Sequence, residues 1–185
     1  MIGFAMCGSF CTLKRSFEIL SSLCKTYDVL PIMSPITYET DTRFGTAEDH
    51  ITRAEELCGR KIVHTVEDAE PLGPAQPLEA LVICPCTGNT LAKMARGITD
   101  TAVCMAAKAH LRSDRPLVIA LASNDAMSAN LGNIATLLNR KQVYFVPLRQ
   151  DDPVSKPHSL VADFSLVEDA LAAALDGRQL RPLFL

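Results

Sequence analysis

The sequence predicts an α/β fold: a three-layer, Rossmann-like parallel sheet with helices on both faces. Three observations carry this. Short apolar runs alternate with helical-period stretches along most of the chain. The apolar run at residues 80–85 shows no polar alternation, as expected of a parallel strand buried on both faces. Small polar turns follow the strand candidates, where a parallel sheet places its carboxyl-end loops.

In chain order, residues 1–6 read as a first strand, and Cys7-Gly8-Ser9-Phe10-Cys11-Thr12 as a small-residue turn. Leu13, Phe17, Leu20 and Leu23 then recur at helical spacing. Gly8 permits close backbone approach, while Ser9 and Thr12 offer hydroxyls at the helix start. The dinucleotide fingerprint G-x-G-x-x-G is absent. Residues 27–33 read as a second strand ending at Ser34-Pro35. Residues 36–46 are polar and weakly periodic, hence a loop. Residues 47–58 form a helix with Ile51, Ala54 and Leu57 on one face and Gly59 as its C-cap. Residues 61–65 read as a short strand. Residues 67–77, with three prolines and a glycine, read as an extended connection.

The strand at 80–85 is expected to end at Pro85, which has no N–H for a ladder. Thr87, Gly88, Asn89 and Thr90 follow, then the helix formers Leu91, Ala92, Met94 and Ala95. A strand, a polar turn and a helix start form an anion site, because free N–H groups and the helix dipole point at the turn. The same groups fit an ordinary N-cap equally well. Lys93 and Arg96 read as the solvated face of this helix. Then come a helix at 101–111, a strand at 117–121, a turn at 122–125, a helix at 126–138 and a strand at 142–146. A two-proline surface loop at 151–158 and a helix at 164–175 follow. The tail, 181–185, is exposed unless it docks.

Composition narrows the classes. At 185 residues the chain is expected to form one domain, residues 1–185. Apolar residues are 48% and charged residues 21%, which excludes a disordered chain. A net charge of −3 argues against a nucleic-acid partner. No apolar run reaches the ~20 residues of a membrane span, and no signal peptide is recognisable, so cytoplasmic residence is expected. The seven cysteines lack paired C-x-x-C spacing and read as reduced thiols, with no metal site.

The polar turns after residues 6, 85 and 121, together with Ser34, are expected to converge on one sheet edge as a ligand site. Arg43, in the polar loop beside Ser34, offers a bidentate anchor for a carboxylate; the competing reading is a surface arginine paired with Asp41 or Glu39. Lys156 is a weaker candidate of the same kind. His50 reads as a helix-surface residue rather than a general base.

Three stretches carry a resemblance: Gly8-Ser9, residues 85–100 around Thr87-Gly88-Asn89-Thr90, and residues 115–124. They resemble the flavoprotein superfamily, which includes peptidyl-cysteine decarboxylases, phosphopantothenoylcysteine decarboxylase and flavin prenyltransferases. Residues 42–45, 68–74, 99–100, 123–126 and 156–162 are similar to the dipicolinate synthase B-subunit family within it. The resemblance runs over nearly the whole chain. It implies an FMN-type fold and a role, with the dipicolinate synthase A subunit, in forming dipicolinate from a lysine-pathway intermediate for bacterial endospores. It further implies NADP and hydride chemistry on that A subunit, a small dicarboxylate substrate, a homo-oligomer and residence in the mother-cell cytoplasm.

By motif, Gly8, Ser9 and Phe10 would lie near the flavin and Ser34 near its phosphate. Thr87, Gly88, Asn89 and Thr90 would contact the flavin, and Ser123 and Asn124 would close the site. Arg43 would bind substrate, and no catalytic residue is assigned. Only His50 is loosely placed for the decarboxylases' histidine, and their Pro-Ala-Met-Asn turn is here Leu-Ala-Ser-Asn. Three functions stay open: a dipicolinate synthase component with or without flavin, a flavin-dependent decarboxylase, or a non-catalytic assembly partner of the A subunit.

Overall fold

A computed structural model describes residues 1–185. Its frame is a seven-stranded sheet. Strands β1 (Ile2–Met6), β2 (Val29–Met33), β3 (Ala80–Thr87), β4 (Leu117–Ser123) and β5 (Val143–Phe145) are parallel, in the order β2-β1-β3-β4-β5. Every residue of β1 and β4 is buried, as is β3 up to Cys86, which explains their unbroken apolar runs.

Helices α1 (Leu13–Leu23), α2 (Pro35–Glu39), α3 (Ala47–Cys58), α4 (Val66–Ala69), α5 (Gly88–Arg96), α6 (Ala102–Leu111), α7 (Leu131–Leu138) and α8 (Val167–Leu175) cover the sheet. They form two groups: α1 meets α3 and α8, while α6 meets α4 and α5, and α5 meets α7. One apolar cluster of 49 buried residues fills the space between helices and sheet. Local chemistry sets the helix ends. Thr46 and Asp49 form a reciprocal capping box on α3, and Gly59 ends it in the left-handed conformation. Thr101 caps α6, and Gly97 ends α5.

The sheet is mixed, where the sequence predicts a parallel one. Strands β6 (Leu148–Arg149) and β7 (Leu160–Ala162) form a hairpin around the 151–158 loop, and β7 pairs antiparallel with β4 at Ala122 and Ser123. Strands of two and three residues are too short to leave a period in the sequence. Residues 36–39, expected as loop, belong to α2, whose first residue is Pro35. Residues 61–65 make a single bridge, Ile32 to Val63, rather than a strand. The connection expected to be extended begins with one helical turn, α4, capped by Thr65. Pro85 does not end β3: the strand continues to Thr87, with a register shift between Ile83 and Cys86 that absorbs the missing donor. The helix expected from 126 begins at Leu131, because Ser128 and Asn130 N–H groups first turn back onto the Asp125 carbonyl. The tail docks by its backbone, since Leu148 donates to the Leu183 carbonyl and Leu185 to that of Leu148.

Candidate functional site

Parallel strands deliver their carboxyl ends to one edge, so Cys7, Ser34, Thr87 and Ser123 come together there. Thr87 has extended backbone, and its Oγ1 accepts the Thr90 N–H at 3.3 Å, capping α5. Thr87 Oγ1 also donates to Thr90 Oγ1 at 3.2 Å, and Thr90 Oγ1 donates to Cys7 Sγ at 3.3 Å. Burial pushes the Cys7 thiol up to about 12, so it stays protonated at neutral pH. The start of α5 is thus fixed by a hydroxyl relay reaching back to β1.

Ser34, Thr87, Asn89 and Thr90 line a polar cleft of about 390 Å³, together with Lys93 and Asp100. Ser34 is buried; its N–H donates to the Met6 carbonyl, and its Oγ lies 2.9 Å from Thr37 Oγ1. Lys93 is not on a solvated face: its side chain is only 23% exposed, and its Nζ pairs with Asp100 at 2.9 Å across the cleft wall. The helical period places Lys93 on the outer face of α5, but the 97–101 turn folds back over it with Asp100. Arg96 is exposed, as expected.

An adjoining hollow of about 420 Å³ is lined by Gly8, Ser9, Phe10, Arg43, Ser123 and Asn124, and again by Thr87. Nine of the ten residues expected at a cofactor therefore face one of two hollows that share Thr87. The tenth, Gly88, lies buried beneath them. A Cβ there would stand 2.4 Å from Ser123 Oγ and 2.6 Å from Asn130 Nδ2. Those atoms belong to a network that the sequence does not announce. Ser123 Oγ donates to Asp125 Oδ1 at 2.5 Å, and Asn130 Nδ2 donates to the same oxygen at 2.9 Å. The Ser123 hydroxyl bond holds the Asp125 carboxyl below its usual range. The Ser-x-Asp spacing is a visible cue to a local bond; the reach to Asn130 and Gly88 is not.

Arg43 lies at the rim of the second hollow, in a tight turn whose Thr42 and Gly45 exchange backbone bonds. Its guanidinium sits 4.8 Å from the Phe44 ring centre and has no ion-pair partner. Asp41, the expected alternative partner, instead accepts the Ala47 N–H at 2.8 Å. Lys156 pairs with Asp151 at 2.9 Å and lines neither hollow. His50 is not on the helix surface: it faces inward from α3, stacked 5.8 Å from Phe17, with Nε2 lacking a partner. Burial lowers its pKa. The register of α3 is set by Ala47, His50 and Ala54 together, and a histidine on the inner side breaks the apolar pattern that would have revealed it.

Comparisons with known proteins identify the family. The profile of the flavoprotein family matches residues 1–174. The chain is 39% identical over 183 residues to the dipicolinate synthase B subunit of Bacillus subtilis (strain 168), covering 98% of this chain and 92% of that protein. The crystal structure of the dipicolinate synthase B subunit from Bacillus halodurans C superposes with a TM-score of 0.91 at 37% identity, over 100% of this chain and 95% of that one. The FMN-dependent cysteine decarboxylase SpaF shares the fold, with a TM-score of 0.70 at 23% identity over 95% and 94% of the two chains. The chain belongs to the flavoprotein family, among the dipicolinate synthase B subunits.

Proposed function

We propose that this chain acts with the dipicolinate synthase A subunit to form dipicolinate, pyridine-2,6-dicarboxylate, from a dihydrodipicolinate-type intermediate during endospore formation. The observation that carries this reading is 39% identity to a dipicolinate synthase B subunit over 98% of the chain. In this reading residues 1–185 work as one flavoprotein-like domain, supported by a single apolar cluster spanning all the parallel strands. The reading includes a homo-oligomer in the mother-cell cytoplasm; no helix is long and apolar enough to cross a membrane. NADP belongs to the A subunit.

The two hollows fit FMN in their donor chemistry. The N-terminus of α5 offers N–H groups to a phosphate, the Ser34, Thr87 and Thr90 side chains line the same cleft, and Lys93 supplies a cation. Gly8, Ser9, Phe10, Ser123 and Asn124 line the wider neighbouring space for the ring system, and Thr87 lines both. Gly88 lets α5 start against the Ser123–Asp125–Asn130 network, so the cap stays close to both hollows. Bound FMN supplies two-electron redox chemistry. Arg43, unpaired at the rim, orients a substrate carboxylate with its two parallel N–H donors.

A flavin-dependent decarboxylase is the weaker reading. His50, the residue loosely placed for its histidine, lies buried against Phe17 and lines neither hollow. The deciding experiment measures dipicolinate formation from the pathway intermediate with this chain, with the A subunit, and with both. Production that requires both supports the proposal; equal production when this chain is left out overturns it. Flavin absorbance of the purified protein tests the cofactor separately.

A further inference from the structure

Cys24 is the C-cap of α1 and Cys58 the last residue of α3, and their Sγ atoms stand 3.8 Å apart. Both are partly exposed, whereas Cys7, Cys84, Cys86 and Cys104 are buried. Cys11 is exposed but precedes the opposite end of α1. The two helix ends are held together from both sides. Phe17 of α1 stacks on His50 of α3, and just beyond the cysteines Arg60 pairs with Asp28 at 2.7 Å. A disulfide needs sulfurs about 2.0 Å apart, and these two thiols already lie in contact at 3.8 Å.

We propose that Cys24 and Cys58 form a reversible modification site, closing to an intrachain disulfide when a small-molecule disulfide oxidises them. The chemistry balances as two exchanges. One protein thiol loses its proton, and its thiolate attacks a sulfur of the oxidant. The oxidant's S–S bond breaks, and one thiol leaves. The second protein thiol then loses its proton and displaces the other half of the oxidant from the mixed disulfide. Two protein thiols are oxidised by two electrons, and one small disulfide is reduced to two thiols. Burial pushes both thiols above their ordinary range, so closure speeds up as pH rises and the thiolate fraction grows. The crosslink would tie the end of α1 to the end of α3.

The folded, reduced protein is incubated with excess oxidised glutathione at mildly alkaline pH, its remaining thiols are alkylated, and its peptides are mapped by mass. The expected result is a peptide linking Cys24 to Cys58, two hydrogens lighter than the reduced pair and lost on adding dithiothreitol. The melting temperature should rise by roughly 5 °C, because the crosslink restricts the unfolded chain. Recovery of Cys24 and Cys58 as alkylated thiols or separate glutathione adducts would overturn the proposal. So would a linkage that forms only in denaturant. Cys58→Ser and Cys24→Ser proteins, treated alike, should lose the linkage and the melting shift together.

Discussion

Thr90 Oγ1 donates to Cys7 Sγ at 3.3 Å, joining the first turn of α5 to the carboxyl end of β1 across 83 positions of sequence. With Thr87 as the cap, this bond fixes the polar floor shared by the two hollows. Thr90→Val keeps the shape and removes both hydroxyl bonds. It should destabilise the fold by about 1 kcal/mol and weaken FMN binding. Urea unfolding and fluorescence titration with FMN read the two effects; unchanged FMN affinity would take Thr90 out of the binding floor.

Gly88→Ala places a Cβ 2.4 Å from Ser123 Oγ. Either Ser123 rotates and breaks its bond to Asp125, or α5 shifts outward. Overpacking of this kind costs about 1–3 kcal/mol. The variant should unfold at lower urea and bind FMN more weakly. A fully stable Gly88→Ala protein would show that the network is looser than its geometry.

Arg43→Lys keeps the charge and loses the fork. A charge-assisted hydrogen bond is worth roughly 1.5–3 kcal/mol, so dipicolinate formation by the two-component complex should fall about tenfold or more. The melting temperature should not move, because Arg43 pairs with no carboxylate in the fold. Unchanged steady-state kinetics would remove Arg43 from the substrate site.

Lys93→Met leaves Asp100 facing the cleft without its cation. FMN affinity should drop, because an anionic phosphate loses a positive neighbour and keeps a negative one. Riboflavin, which lacks the phosphate, should be affected much less. Equal losses for both ligands would place the phosphate elsewhere.

His110 is fully buried; its Nε2 lies 2.9 Å from the Pro116 carbonyl, and its Nδ1 has no partner. Burial, the largest cause, lowers its pKa below the ordinary 6.5. His50 is shifted the same way. The unfolded chain therefore takes up protons first as pH falls. Stability should be level above about pH 6.5 and decline below it, until the folded-state histidines also protonate. Urea midpoints across that range check this, and His110→Gln should flatten part of the slope.

Much of the candidate site is legible in the sequence because its signals are local. A cap such as Thr87 needs only a hydroxyl three residues before an N–H, and a buried strand such as 80–85 declares itself by an unbroken apolar run. His50 escapes that kind of reading because one turn of α3 carries few apolar residues to mark the inner face. Lys93 escapes it because the Asp100 turn that covers it is not part of its helical period.

By itself, the sequence determined the alternation of strands and helices, the caps, the polar turns and the edge at which they gather. Each follows from propensity and burial within a few residues. The tertiary structure alone decided which distant groups meet. Examples are Cys7 with Thr90, Gly88 with Ser123 and Asn130, Cys24 with Cys58, and the antiparallel hairpin against β4. The physical reason is that these contacts depend on how whole elements pack across the sheet. A short strand or a single side chain carries no periodic signal of the partner it will meet.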